Sequence, residues 1–590
     1  MNYKLRGNFS HDETCIYEIL QDRHVKNVEA FINPSIKYEN NPYDLENITA
    51  AAELLLKHLR DDHSIAIVVD ADNDGFTSAA LIWNYIKQVF PNADLMYLLH
   101  EGKEHGIDDH IDYLVDEQIC HLLIVPDAGS FNINCFWRLN KINTDVICLD
   151  HHEQMYNDDG SPIINNCPTA IVVNNQLSPN YPNKDFCGAG ITYQFCRVLD
   201  DLLGIHIAEQ FIDLAAVGNI GDVMFQGDPE TRYIITEGLK HITNKGLQTL
   251  IQAQEYSLKE KSYYPYPGLT STDVAFYICP LINAVVRVGT MDEKRIMFTA
   301  LIDPTTRVPS TKRGAKSTDT ESAAEQAARI AKNIKARQDR LKEKAIDLID
   351  FRIQKEGLQH NNLIVVEILP EDNIPNELTG LIAQNIVSKY NRPAFVVRRD
   401  SQGKLKGSAR NNGNFNALPA LKSFLEQTGL FDFLAGHDNA HGLSIPESNL
   451  PALINYMNTE LKEDAFANCY IVDFVLNATS SNTPIILDTI ASHPDYYGNG
   501  IDEPRFIIKN LSLANIQIMG ANKDSIKISQ NTVDYVHFKD DDFVQEILAN
   551  RTKTLTVYGR ANLNTYMGHT NLQFFIEDYE FEADEKKYEF

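Results

Sequence analysis

The sequence is short of several features that would fix its class at once. Its nine cysteines are scattered and none forms a C-x-x-C pair, which argues against a disulfide framework and against a zinc site. No run of about 18 apolar residues stands out, so no membrane-spanning helix is expected. The opening residues, MNYKLRGNFSHDETCIYEIL, lack the apolar stretch of a secretory signal. A reducing, cytoplasmic setting is the expectation. Positive charge is in short supply too: 53 Lys and Arg stand against 81 Asp and Glu, a net charge of −28. That balance argues against a protein that coats nucleic acid through bulk charge. It leaves room for an enzyme whose carboxylates hold cations, and whose polyanionic substrate follows a local basic path.

What is present is 590 residues, 43% apolar and 23% charged, the composition of a globular protein too long for one core. Three apolar runs end in acidic residues: Ser64–Val69 before Asp70, Leu122–Val125 before Asp127, and Val146–Leu149 before Asp150. Short β-branched runs of this kind read as buried parallel strands. A helix-like pattern from Thr77 to Val89 lies between the first two, so an α/β sheet is expected. In such sheets ligands gather at the carboxyl ends of the strands, where all three acidic residues fall.

Residues from about 315 to 355 are rich in Ala, Glu, Lys, Arg and Leu and predict one long connecting helix. Between 311 and 345 ten Lys and Arg face five Asp and Glu, either an ordinary solvated face or a basic wall beside a nucleic-acid path. A second α/β unit follows, with NNLIVVEIL and RPAFVVRRD as strands and LTGLIAQNIVSKY as a helix. From about 466 short alternating strands with Gly and Asn turns suggest a small β-barrel, such as an OB-fold, ending in an acidic tail. The expected division is an N-terminal extension (1–45), a catalytic α/β domain (46–245), a helical connector (246–355), a second α/β domain (356–462) and the OB-like domain (463–590).

The segment V-V-D-A-D-N-D-G sets Asp70, Asp72 and Asp74 just after a strand, with a helix expected to begin near Phe76 or Thr77. A calcium loop looks similar, but its twelfth position here is Leu81, which cannot ligate. V-P-D-A-G-S adds Asp127, C-L-D-H-H-E adds Asp150, His151 and His152, and G-N-I-G-D-V-M adds Asp222. Carboxylates mixed with imidazole suit Mn²⁺ or Mg²⁺ better than zinc. Two such ions sharing a carboxylate would make a phosphoesterase centre.

D-A-D-N-D-G, P-D-A-G, D-H-H and G-D-V-M, in this order, resemble the four motifs of the DHH phosphoesterase superfamily. The whole chain resembles a RecJ-type single-strand-specific exonuclease. C-G-A-G at 187–190 is similar to that group's glycine turn. P-L-I-N-A-V-V-R-V-G, with Pro280, Asn283, Ala284 and Arg287, resembles its P-R-x-N-A-x-G-R segment, with Leu281 and Val286 in place of the usual Arg and Gly. G-S-A-R at 407–410 and A-G-H-D-N-A-H-G at 435–442 resemble the motifs of the DHH-associated domain, with Ala435 where a Gly is usual.

The resemblance implies roles. Asp72 and Asp74 would ligate two metals separately and Asp127 would bridge them. His151 and Asp222 would complete the second, and Asp70 would ligate or stand close by. Asp150 would orient a neighbouring His, and His152 would face the scissile phosphate as acid or charge stabiliser. Ser408 and Arg410 would hold a nucleotide phosphate, Arg287 would touch the substrate, Gly436 and Gly442 would let the backbone come close, and His437 would bind phosphate or stack on a base. Tyr558, Arg560 and Tyr566 are candidates for a strand-binding groove on the barrel.

The implied activity is metal-dependent exonuclease action on single-stranded DNA, 5′→3′, releasing mononucleotides in repair, recombination or replication. The expected partners are single-stranded DNA and, as a candidate, a single-strand-binding or other replication or repair protein, with no membrane and a monomeric chain. The alternatives are a phosphodiesterase for short oligonucleotides or cyclic dinucleotides, and a non-catalytic replication scaffold.

Overall fold

A computed structural model describes residues 1–102, 105–157, 159–259, 268–566 and 569–582. The chain begins with a short strand, β1 (Asn2–Leu5), whose partner lies more than 460 residues away. The first large body is a parallel sheet of β2 (Ile65–Val69), β3 (Leu95–Leu99), β4 (Leu122–Pro126), β5 (Asp145–Asp150) and β6 (Ala170–Asn174), in the order β3-β2-β4-β5-β6. All side chains of β2 and β4 are buried, which is what an uninterrupted apolar run requires of a strand covered on both faces. Asp70, Asp127, Asp150 and Asn174 stand together at its carboxyl edge.

The helix after β2 runs Asn73–Val89, several residues earlier than the sequence suggests. Asp72 is extended and its carboxylate caps Gly75 N at 2.9 Å, so helical geometry starts at once. Asp74 is thereby placed in the first turn. Helices Gly188–Leu203 and Ile212–Gly221 pack against this helix.

Helical residues Ser271–Val288 form an 18-residue stretch of mean hydropathy 1.3, interrupted by Asp273 and Arg287, that is long and apolar enough to cross a membrane by length and composition alone. Its apolar face is spent on the core of the first α/β body, where Val274, Ile278, Leu281, Ile282 and Val285 are buried.

The long helix spans Ala323–Glu356. Residues 307–322, partly expected to be helical, instead form a hairpin of β7 (Arg307–Pro309) and β8 (Thr320–Ser322). Ser322 and Glu325 make a reciprocal cap that fixes where the helix starts, and Gly357 at φ +71° ends it.

The second α/β unit carries β9 (Ile364–Glu367), β10 (Ala394–Arg399), β11 (Lys404–Arg410), β12 (Phe433–His437) and β13 (Ala440–Pro446), ordered β12-β13-β11-β10-β9. Only the β9–β10 pair is parallel.

After β14 (Cys469–Val472), which pairs with β1, come β15 (Phe474–Asn477), β16 (Phe506–Ser512), β17 (Ile516–Met519), β18 (Ser525–Gln530), β19 (Val533–His537), β20 (Thr554–Tyr566) and β21 (His569–Phe581). They form a mixed seven-stranded sheet, β15-β16-β20-β21-β19-β18-β17. The N-terminal segment joins this body: Phe9, Ile16, Ile19, Leu20 and Phe31 share its core, and the buried Arg23 pairs with Asp473 at 2.6 Å.

Candidate metal centre

Each acidic residue at the sheet edge is held by a different local device. Asp74 sits under the N-terminus of helix Gly188–Leu203, where Gly188 N and Ala189 N donate to its two oxygens at 2.6 and 3.0 Å. The C-G-A-G turn is therefore a carboxylate clamp. Asp127 follows β4 in the left-handed region at φ +69°, unusual for a non-glycine residue, with its N–H tied to Leu149 O at 2.8 Å. Asp222 caps the end of helix Ile212–Gly221. His151 Nε2 reaches Asp127 Oδ1 at 3.2 Å and Asp222 Oδ2 at 3.5 Å. The ligand atoms of Asp74, Asp127 and His151 fall within 4.8 Å of one another, and those of Asp70, Asp72 and His105 form a second such group.

The electrostatics call for cations. Burial, then the charges of Asp74, Asp72 and Asp70, push the Asp127 carboxyl well above the usual carboxylate range. Burial, then Asp74 and Asp72, raise Asp222 as well. Asp127 Oδ1 is buried with no hydrogen-bond partner. Burial holds His151 toward the neutral form that ligates metal. Oxygen donors with one imidazole in each group fit divalent cations of the Mn²⁺ or Mg²⁺ type.

Asp150 stands apart from both groups. It is buried and fully engaged: Oδ1 accepts His151 N at 2.7 Å and His152 Nδ1 at 2.7 Å, while Oδ2 accepts Ser130 N at 2.9 Å. Burial opposes its ionisation, but His152 and Ser130 overcome this and keep its carboxyl far below the usual range. The same hydrogen bond raises His152, half-exposed, to about 9. Asn174 at the end of β6 finishes the support, donating to Ser130 Oγ and His152 O at 3.0 Å. The sequence reading passed over Asn174, Ser130 and His105, although the strand-end position of V-V-N-N matched that of the acidic motifs.

The other predicted residues fall on separate elements. Ser408 and Arg410 lie on β11, beside the start of helix Thr379–Tyr390, with Ser408 Oγ 2.9 Å from Thr379 Oγ1. Arg410 has no carboxylate partner among the described residues, and burial lowers its pKa. Gly442 pairs with Ser408 across the sheet. A Cβ at Gly442 would meet only ordinary contacts, whereas Gly436 at φ +122° needs glycine for its backbone. His437 is exposed at the end of β12. Arg287 is exposed on helix Cys279–Val288.

The barrel candidates need correction. Tyr558 is buried and stacks on Tyr470 with centroids 4.0 Å apart. Arg560 lies over Phe575 and is paired with Glu503 and Glu577. Both are consumed by packing. The side chain of Tyr566 lies outside the described residues, as do residues 583–590 of the acidic tail.

Comparison with known proteins agrees with this architecture. Residues 64–219 match the DHH family, N-terminal domain, residues 360–463 the DHHA1 domain, and residues 477–578 the RecJ OB domain. The chain is 36% identical over 593 residues to a protein of Bacillus subtilis (strain 168) named "Putative SPbeta prophage-derived single-strand DNA-specific exonuclease YorK", covering 99% of this chain and 98% of that one. It is 25% identical over 551 residues to the single-stranded-DNA-specific exonuclease RecJ of the same organism, covering 91% of this chain and 64% of that one. Among solved structures, RecJ of Thermus thermophilus in complex with Mn²⁺ has the same fold, with a TM-score of 0.68 at 22% identity over 97% of this chain and 76% of that one. With a likeness that runs the length of both chains, the protein belongs to the RecJ-type family of DHH phosphoesterases.

Proposed function

We propose that the protein is a metal-dependent exonuclease that hydrolyses single-stranded DNA in the 5′→3′ direction and releases mononucleotides. The observation that carries this reading is the pair of adjacent carboxylate–imidazole groups at one sheet edge, in a chain whose relatives are named single-strand DNA-specific exonucleases. Asp72, Asp74, Asp127, His151 and Asp222, with Asp70 beside them, would hold two divalent cations. When bound, such ions supply Lewis acidity and charge compensation toward a phosphodiester.

The chain's own residues do the rest. Asp150 fixes the proton of His152 on Nδ1, leaving Nε2 for a substrate oxygen. His152, oriented by Asp150 through Nδ1, donates a proton from Nε2 to the departing oxygen or stabilises its charge. Ser408 and Arg410 anchor a terminal nucleotide phosphate, and the guanidinium of Arg410, with no described carboxylate to hold it, suits a two-pronged grip. Arg287 offers a further phosphate contact along the strand.

The test is digestion of 5′- and 3′-labelled single-stranded DNA with Mn²⁺, Mg²⁺ or chelator. Mononucleotide release from the 5′ end, abolished by chelator and by Asp127→Ala, is expected. Degradation from the 3′ end, or full activity of Asp127→Ala, would refute the assignment.

A further inference from the structure

His105 was not marked by any acidic motif, yet the fold delivers it to the metal centre. It follows β3, with the described residues before and after it fastened. On one side Lys294 Nζ donates to the carbonyls of His100, Glu101 and Gly102 at 2.9, 2.8 and 3.3 Å. On the other, Gly106 N donates to Asp70 Oδ1 at 3.0 Å and Ile107 N to Asn132 Oδ1 at 3.2 Å. Between these fastenings His105 Nδ1 is hydrogen-bonded to Asp70 Oδ2. Behind Asp70 lies His100, a fully buried side chain whose Nε2 is 3.9 Å from Asp70 Oδ1 and whose Nδ1 is 3.6 Å from Asp109 Oδ2.

We infer that His105 is the imidazole ligand of the first divalent cation, completing a site with Asp70 and Asp72. The inference rests on the reading that the carboxylate cluster binds metal. Its own ground is the repetition of chemistry. Asp74, Asp127 and His151 put two carboxylates and one imidazole within 4.8 Å, and Asp70, Asp72 and His105 do the same beside them. Two carboxylates neutralise a divalent charge, and a neutral imidazole adds a donor without overcharging the site. The two imidazoles come from different strand ends, β3 and β5, so each ion gains a ligand from outside the D-x-D-x-D run. His105 is the more exposed of the pair, with a side chain 55% accessible against 12% for His151. The competing role is that of a positioning residue that only orients Asp70.

Stoichiometry separates the two. The full-length chain, stripped of metal and matched by circular dichroism, is titrated with Mn²⁺ and followed by calorimetry and electron paramagnetic resonance. Wild type is expected to bind two ions with spin coupling between them. His105→Asn is expected to bind one ion and lose the coupling, His105→Asp to recover the second ion, and His151→Asn to lose the other one. A His105→Asn variant that still binds two ions would overturn the ligand role, whether its affinity is unchanged or reduced by the roughly 10–100-fold typical of a supporting group. Were wild type to bind no Mn²⁺, the metal reading itself would fall. Two ions in wild type with two in His105→Asn would leave that reading standing and remove only this one.

Discussion

A single methyl group is enough to disturb the carboxylates. A Cβ at Gly218 would lie 2.5 Å from Asp74 Oδ1 and 2.6 Å from Ala189 Cβ, and neither can retreat, because Asp74 is clamped by the very turn that contains Ala189. Gly218→Ala should cost about 1–3 kcal/mol of stability by overpacking. Displacing Asp74 by a fraction of an ångström should lower kcat on the order of 100-fold. Activity within twofold of wild type, measured on labelled single-stranded DNA, would contradict this account. Glu39 makes a different residue-scale case. Burial pushes its carboxyl up to about 7 even with Arg197 Nη2 at 3.2 Å. The folded state thus holds this proton more tightly than the unfolded chain. The stabilisation is complete below about pH 4.5 and is lost as pH rises through about 7, by at most about 3 kcal/mol. Glu39→Gln, which cannot ionise, should lose less melting temperature than wild type between pH 5 and 8. Parallel melting curves over that window would show Glu39 to be silent.

At the scale of elements, the long helix shows what composition can and cannot say. Its excess of Lys and Arg reads as a basic face, but ion pairs consume part of it: Arg329 binds Glu321, and Lys335 and Lys342 bind Asp339. Arg337, Arg340 and Lys344 have no carboxylate partner among the described residues. They line a groove of about 700 Å³ between this helix, the β7–β8 hairpin and helix Met291–Ile302, floored by Ile296, Ile330, Ile334 and Leu341. If a strand passes here, Arg337→Glu with Lys344→Glu should weaken binding of long single strands. The slope of log affinity against log salt should fall by about 0.7 for each phosphate that is no longer neutralised. Dinucleotide hydrolysis should change little, since these residues lie on a different element from the carboxylates. An unchanged salt slope in a filter-binding titration would remove the groove from the strand's path. The helix start was misplaced for a related reason. Residues 315–322 (AKSTDTES) are mostly Ser, Thr and Asp, which favour turns and caps over helix interiors, and the β7–β8 pairing and the Ser322 cap start the helix only at Ala323.

For the whole molecule, the charge of −28 has a local counterpart in the candidate metal centre, where buried carboxylates repel one another. Mn²⁺ should therefore raise the melting temperature of the catalytic body, by the equivalent of about 2.7 kcal/mol at a hundred times its dissociation constant. Asp127→Asn should invert the pattern. Losing one repelling carboxylate should make the metal-free protein more stable than wild type, while the response to Mn²⁺ shrinks. A variant that is less stable without metal and just as responsive would show that Asp127 is not held at an electrostatic cost. The same scale explains why the N-terminus was legible only in the structure. Residues 9–31 fall in the expected N-terminal extension, yet they complete the core of a body whose strands lie beyond residue 469.

The sequence by itself determined the α/β class, the strands that end in Asp70, Asp127 and Asp150, and the motif order that marks the family. These are local patterns: apolar runs set strands, and acidic residues at their ends set the chemistry. Only the tertiary structure decided which residues meet. It brought His105 to Asp70, turned C-G-A-G into a clamp on Asp74, and buried Tyr558 against Tyr470. The physical reason is that such encounters depend on chain closures over 35 to 114 residues and on competition for burial, and neither leaves a periodic trace along the chain.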